Sequence, residues 1–502
     1  MARIVVVGSG FGGLAAAARL QAQGHAVTLI EARSQLGGRA GQIKEAGYTF
    51  DWGPTLVTAP DLFESVFASA GRRLSDYAEL LPLRPFYEVR FGDGSSFSYG
   101  AQVHGERRPE DRSDLSAAME AEIARLSPGD VEGYRRFMRD TAWIYERGFS
   151  QLAHRPFHSP VDFAKVLPDL VRLGAQRSVY DFVAGYVKDP NLRVVFSFHP
   201  LFLGGDPFRS SAIYSIIPKL TQDGGVWYAR GGMHSLAQGL GRLLTDLGGT
   251  IRLGEPVERI LVEGGKAAGV RLASGEVVRA DKVVSNADAA ATYLDLVPDP
   301  YRRRAASRVQ RYGYSMSCFI LYLGLSRQYP HLRHHTILMP RDYRGVVKAI
   351  FSGRLKDDDL ALYVHMPTRT DPTMAPPGGE SLYALVPVPN LKADIDWTTY
   401  GDVLRDKTVR LLEQSLGMAD LERHIVVERR VTPLDFRDDL RSYLGAGFSI
   451  EPTLFQSAYF RPHNLSGDLP GLYLVGAGTH PGAGVPAVLL SAEITAGLIG
   501  AA

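Results

Sequence analysis

Arg3-Ile4-Val5-Val6-Val7-Gly8-Ser9-Gly10-Phe11-Gly12-Gly13 opens the chain, and Ala26-Val27-Thr28-Leu29-Ile30-Glu31 follows one helix-length later. The pattern reads as strand, glycine turn, helix, strand, acid. Each glycine has its own reason. Gly8 permits the tight turn out of a buried strand, Gly10 lets a pyrophosphate approach the backbone, and Gly13 lets the helix pack closely on the sheet. The helix, from about Gly12 to Gln23, aims its free N–H groups and partial positive charge at the phosphates. Glu31 ends the second strand, where a carboxylate accepts from ribose hydroxyls and repels a 2′-phosphate, which disfavours NADP. A lone G-x-G-x-x-G is weak evidence. Here it follows an apolar strand, precedes a helix and has its acid in place, so the spacing predicts a dinucleotide site.

Two further stretches point to FAD rather than NAD. Gly37-Gly38-Arg39 lets a second loop approach the ligand and offers a guanidinium to phosphate or flavin, and Asp51-Trp52-Gly53-Pro54-Thr55 forms a compact turn. At the far end, Leu472-Tyr473-Leu474-Val475 runs into Gly476-Ala477-Gly478-Thr479-His480-Pro481 and on to Val485-Pro486, where a second apolar helix begins. That pattern presses backbone against a flat ligand with a helix N-terminus aimed at it. Such a terminus stabilises the negative charge of a reduced flavin ring. The residues predicted to hold FAD are therefore Gly8, Gly10, Gly13, Glu31, Gly38, Arg39, Gly53, Pro54, Thr55, Val257, Gly478, Val485 and Pro486. His480 is read as a polar wall residue, and no metal site is predicted.

Composition narrows the class further. The chain has 502 residues, 45% hydrophobic and 22% charged, with a net charge of +2. This is an ordinary globular balance that gives no electrostatic case for nucleic acid. The single cysteine, Cys318, excludes an internal disulfide, a dithiol relay and a cysteine zinc cluster. It lies in an apolar run and is read as core packing. A strand starting at Arg3 leaves no room for a signal peptide, and no run of 18 apolar residues suggests a span.

The predicted fold is α/β: a discontinuous Rossmann-like FAD-binding domain of the glutathione-reductase and amine-oxidase kind, with an inserted α+β substrate domain and a helical, membrane-associated part. The nucleotide fold is expected in three pieces, 1–60, 225–295 and 465–502. The middle piece carries short strands at Thr250–Leu253, Val257–Val262, Ala267–Leu272 and Lys282–Ser285. Residues 61–224 and 296–464 are expected to bind substrate, with 113–220 largely helical. Ser127-Pro128-Gly129-Asp130 reads as a capped helix start, followed by Tyr134, Phe137, Met138, Thr141, Ile144 and Tyr145 at helical spacing. The flavin ring should sit at the seam between nucleotide fold and inserts, and the substrate pocket with it.

These motifs together resemble the bacterial and fungal phytoene desaturases, the flavin-dependent carotenoid desaturases. The likeness runs over nearly the whole chain. It is carried by Gly8 to Ala15, Phe50-Asp51-Trp52-Gly53-Pro54-Thr55, Phe196-Ser197-Phe198-His199, Gly204-Gly205-Asp206-Pro207-Phe208 and Gly225-Val226-Trp227 with Arg230-Gly231-Gly232. Val284-Ser285-Asn286-Ala287-Asp288 and Gln456 to Asn464 before the glycine-rich end complete it. Ala487, Asp206 and Met233-His234 depart from the expected pattern, which bears on substrate detail more than on class.

The resemblance implies FAD and a lipid-soluble C40 polyene. It implies stepwise oxidation of 15-cis-phytoene to lycopene or neurosporene, and oxygen or a quinone as electron acceptor. It also implies peripheral attachment to the cytoplasmic face of the cell membrane. Desaturation removes a hydride from an allylic carbon and a proton from its neighbour. Asp162 and Lys165, after Pro160 and at positions the resemblance puts near the pocket, are the candidate acid–base residues. The same spacing equally describes an exposed i,i+3 ion pair.

For lipid contact the stretch 156–220 stands out. Phe157, Phe163, Val166, Leu167, Leu170, Val171 and Leu173 alternate with Lys165, Arg172 and Arg177, a pattern that suits a lipid interface or a core-facing helix. Arg302-Arg303-Arg304 with Arg308 and Arg311 reads as a solvated helix face that can also meet anionic lipid. Related activities share the motifs: a C30 diapophytoene or hydroxycarotenoid desaturase, or a carotenoid isomerase. An amine or porphyrinogen oxidase would lack the Arg461-Pro462-His463-Asn464 context, and a flavin-free isoprenoid-binding escort would not need the intact glycines and Glu31.

Overall fold

In the computed structural model, which describes residues 1–100, 112–157, 159–172 and 174–502, the first strand Arg3–Val7 is the centre of a five-stranded parallel sheet. Its neighbours are Lys282–Ser285 on one side and Ala26–Ile30 on the other, with Leu472–Leu474 and Thr250–Arg252 at the edges. Side-chain alternation divides the strand between two cores. Ile4 and Val6 face a helical layer, whereas Val5 and Val7 face a three-stranded antiparallel sheet of Val257–Glu263, Lys266–Leu272 and Val277–Arg279.

The first helix, Phe11–Ala22, is buried along most of its length and packs between the last helix, Val485–Ile499, and the helix Met233–Asp246. Ala15, Ala16, Ala17 and Ala18 are all fully buried, so small side chains let three helix backbones approach one another. Gly13 acts where the spacing predicts. A Cβ there would fall inside contact distance of the Gly8 carbonyl oxygen.

A second sheet of seven strands runs in the order Ile425–Val431, Ser317–Leu325, Glu380–Val388, Leu362–His365, His335–Leu338, Tyr87–Arg90, Ser96–Tyr99. All nine residues of Ser317–Leu325 are buried. Phe319, Leu321 and Leu323 pack toward the helix Trp397–Leu416, while Cys318, Ile320 and Tyr322 pack with Tyr48, Phe50, Trp52 and Phe436. The second face is the one that meets the site.

Helices Arg112–Leu126, Val131–Ile144, Val179–Ala184 and Pro190–Ser197 gather an aromatic core that includes Tyr134, Phe137, Phe182 and Phe196. The predicted helix start at Ser127 is corrected in its chemistry. The Ser127 hydroxyl caps nothing; it donates to Asp130 Oδ2 at 3.0 Å. Asp130 is buried and accepts the Lys188 and Asp189 amides, both at 2.8 Å, so the acid ties two helical segments together. Of the predicted membrane-facing stretch, Leu173 and the side chains of Val166, Leu167 and Leu170 lie outside the described residues.

Candidate active site

The carboxyl ends of the parallel strands and the loops that leave them open into one cavity of about 650 Å³. This is where open α/β sheets bind ligands. One end is built from Gly8, Ser9, Gly10, Glu31 and the loop Gly37–Ala40, with Val257 beside them. Gly53, Pro54 and Thr55, Asn286 to Asp288, and Gly476 to Gly478 with His480 to Val488 from the end of the chain also line it. The far end is apolar, with Phe198, Phe202, Ile213, Ile337, Met339 and Phe448 in its wall.

All the predicted FAD-contacting positions line this cavity except Gly13, which packs behind the turn. Cys318, read as core packing, is buried on the central strand and also touches the cavity; burial pushes its thiol up to about 12. Asp162 and Lys165 lie on the helix Pro160–Arg172 and are not among the lining residues. Lys165 is exposed, and the side chain of Asp162 falls outside the described set. The segment that precedes this helix does reach the wall, through Gly148, Phe149, Ala153 and Phe157.

The local chemistry fits a dinucleotide. Glu31 Oε2 accepts the Ser9 amide and hydroxyl, both at 2.7 Å, and Oε1 accepts the Arg33 amide at 2.9 Å. A carboxylate has about four acceptor positions, so the fixed Glu31 retains capacity for a ribose hydroxyl. The glycines make a cradle that side chains would fill. Asn286 sits inside it: a Cβ on Gly10 would come within 2.7 Å of its Oδ1, and one on Gly476 within 2.5 Å of its Nδ2. Asn286 Nδ2 also donates to the Val475 carbonyl at 3.0 Å, joining the first glycine turn to the last.

Arg39 is a buried cation whose Nη2 donates to Ser442 Oγ at 2.7 Å and whose Nε has no partner among the described residues. Burial lowers its pKa, and Asp288 pulls it back up. Asp288 is buried too. Its carboxyl is raised by desolvation and held by the Ala290 amide at 2.9 Å and the Ser449 hydroxyl at 3.0 Å. A buried basic and a buried acidic group thus line the cavity together, where a polar ring system needs partners.

The stretch Gln456 to Asn464 explains the shape of the glycine-rich end. Arg461 is fully buried and its guanidinium donates to the carbonyls of Gln456, Ile450 and Ala477 at 3.2, 3.1 and 2.7 Å. Asn464 donates to the His480 carbonyl at 3.1 Å and Ser491 Oγ at 3.0 Å. Both residues hold the loop that faces the cavity. Sequence reasoning gave no role to Asn286, Asp288 or Tyr363. The first two stood inside a motif quoted for resemblance alone, and only their position after a strand signalled a site.

A glycine-lined dinucleotide cleft continuous with an apolar pocket defines a flavoprotein oxidoreductase, and its cofactor is FAD. The family of flavin-containing amine oxidoreductases matches residues 11–500. The lycopene-forming phytoene desaturase of Pseudescherichia vulneris is 44% identical over 99% of both chains. The neurosporene-forming phytoene desaturase of Cereibacter sphaeroides is 45% identical over 99% of this chain and 94% of its own. The fold is shared with an oxidoreductase of known structure from Methanosarcina mazei, with a TM-score of 0.64 at 17% identity, covering 98% of each chain. The chain therefore belongs to the flavin-containing amine oxidoreductases and, among them, to the phytoene desaturase family.

Proposed function

We propose that this protein desaturates phytoene in carotenoid biosynthesis, forming lycopene or neurosporene. The observation that carries the reading is the single cavity joining the glycine cradle to an apolar, aromatic-walled pocket. FAD, when bound, supplies the hydride acceptor. The chain supplies the rest. Its aromatic and aliphatic wall excludes water and aligns an extended hydrocarbon, and Arg39, Asp288 and the last helix's N-terminus orient the polar ring system. The predicted cofactor-contacting residues are proposed in these roles. Proton removal is assigned to Asp162 and Lys165, on the helix that follows the Gly148–Phe157 wall. Asp162→Asn with unchanged turnover and flavin content would remove Asp162 from the mechanism.

The proposal includes electron transfer to oxygen or a quinone and peripheral contact with the cytoplasmic membrane face. Among the described residues no helix is long and apolar enough to cross a membrane. A surface patch beside the cavity does support lipid contact. Val161 is 63% and Phe455 74% exposed. Phe460 joins Phe455 to Phe163, with ring centroids at 5.8 and 5.3 Å, while neighbouring Leu454, Ser457 and Ala458 reach the cavity. Lys165 and Arg172, on the same helix as Val161, are exposed as well. Expression in a phytoene-accumulating bacterium, followed by pigment extraction, is the test. Red lycopene or yellow neurosporene supports the reading, and colourless cells that contain the flavin-loaded protein overturn it.

A further inference from the structure

We propose that His334, His335 and His365 form a binding site for one late first-row divalent metal ion, zinc by preference, held through three Nε2 atoms behind the cavity wall. The strand His335–Leu338 pairs antiparallel with Leu362–His365 and sets His335 directly opposite His365. Their rings stack with centroids 5.0 Å apart. His334 precedes the strand, its carbonyl accepting the Met366 amide at 2.8 Å, and its ring turns inward. The Nε2 atoms of His334 and His365 stand 3.1 Å apart. One nitrogen from each of the three rings falls within 4.8 Å of the others.

Two of the three outer nitrogens are already engaged. His334 Nδ1 meets Thr370 Oγ1 at 2.6 Å, and His335 Nδ1 meets the Tyr363 hydroxyl at 2.7 Å. This is the arrangement that metal-bound imidazoles adopt: one nitrogen fixed by an oxygen partner, the other left as ligand. His335 Nε2 is the telling atom. It is buried and has no partner among the described residues. An unmet buried polar atom is costly and calls for an occupant.

The geometry suits zinc. Zn–N bonds of about 2.0–2.1 Å in a tetrahedron place ligand atoms roughly 3.3 Å apart, close to the observed His334–His365 spacing. The His335 nitrogen, within 4.8 Å of the other two, completes the triangle by closing toward them. All three rings are buried, and binding would displace the proton that His334 Nε2 and His365 Nε2 share at 3.1 Å. Imidazole ligands suit zinc, copper, iron or nickel rather than magnesium or calcium.

A fourth position is also provided for. The Tyr228 ring lies buried beside that of His334, with centroids 4.9 Å apart. Water or a neighbouring side chain would complete a tetrahedron. Asp371 is the nearby carboxylate acting on His334. The ion would pin two strands directly behind Tyr363, which lines the cavity and meets Thr55 at 2.5 Å on its other side. No redox step is assigned to it.

The test uses the flavin-loaded protein purified without a histidine tag, from zinc-supplemented cells, and washed with chelator. Elemental analysis should find about one zinc per chain, and X-ray absorption should show nitrogen ligands at roughly 2.0–2.1 Å with no sulfur. His335→Gln and His365→Gln should each lower zinc content at least about tenfold while flavin content persists. Thr370→Val should weaken zinc binding about 10–100-fold. Less than about a tenth of an ion per wild-type chain, before and after dialysis against zinc, overturns the proposal. Full zinc in the double glutamine variant also overturns it. Should the variants fail to fold, the wild-type stoichiometry and ligand set decide alone.

Discussion

Asp51 ends the strand Tyr48–Asp51 against the amino end of the helix Met233–Asp246, so close that any side chain at Gly232 would collide with its carboxylate. Desolvation raises its carboxyl to about 7, against the pull of the Met233 and His234 amides. The folded value lies above the ordinary 3.8, so between those pH values the folded chain holds a proton that the unfolded chain has released. The contribution of this group to stability is complete below pH 4 and is lost as pH rises through 7. Asp51→Asn should remove that slope, flattening the fall in unfolding free energy between pH 5 and 8 by about 2 to 3 kcal/mol. Urea titrations at the two pH values measure it; equal slopes in both proteins would place the shift elsewhere. Asn286 governs a different quantity. Asn286→Leu keeps the volume, but it loses the bond to Val475 and sets methyl groups against the glycine backbones. Weakened flavin retention of at least about tenfold is expected from a lost buried hydrogen bond, read by flavin fluorescence after gel filtration.

The strand Ser317–Leu325 shows what a nine-residue element contributes. Antiparallel partners on both sides, Glu380–Val388 and Ile425–Val431, satisfy its backbone, and its two faces serve two cores. Leu321 is fully buried on the face away from the cavity. Leu321→Ala should cost about 2–5 kcal/mol through transfer and cavity terms, seen as a lower unfolding midpoint with flavin binding intact at low temperature. Its apolar run was legible in the sequence, and so were the last helix and the strand–glycine–helix opening, because each is specified by local periodicity and glycine placement. The order of the seven strands was not, since pairing is set by contacts between distant segments. For the same reason the roles of Asn286, Arg461 and the three histidines stayed hidden: each depends on partners from elsewhere in the chain. Ser127 misled because its hydroxyl suits a cap, yet the carboxylate of Asp130 found stronger donors in Lys188 and Asp189. At the surface, the element Pro160–Arg172 and exposed Phe455 make a separate prediction. Val161→Glu with Phe455→Glu should remove most of the protein from the lipid fraction in liposome flotation, since acids on an interfacial face oppose insertion and repel anionic headgroups. Unchanged flotation would locate lipid contact on another face.

At the scale of the whole molecule, the cavity has no wall that belongs to one stretch of chain. The first turn, the Asn286 loop and the glycine-rich end meet around it, and the last strand and helix complete the sheet and helix layer that the first fifty residues begin. Even the ends are tied: the Ala502 amide donates to the Gln23 carbonyl at 3.1 Å, and the His25 ring meets the Gly500 carbonyl at 2.8 Å. A chain stopped after Gly471 would lose the edge strand Leu472–Leu474 and the helix Val485–Ile499. That exposes the face of the first helix that packs on the last and the Lys282–Ser285 edge, and it leaves Arg461 without the Ala477 carbonyl it clamps. Leu489, Leu490, Ile494 and Ile499 of that helix are buried, and at about 1.5–3 kcal/mol each their loss is comparable to the margin of roughly 5–15 kcal/mol by which domains are stable. Truncation should therefore abolish soluble flavoprotein altogether rather than yield a substrate-binding remnant. Co-expression of residues 472–502 as a separate peptide should restore little, because the peptide must order a strand and a helix at once. Recovery of a yellow, soluble 1–471 fragment would mean that the nucleotide fold closes without its last piece, and that the cavity is assembled in stages rather than as one unit.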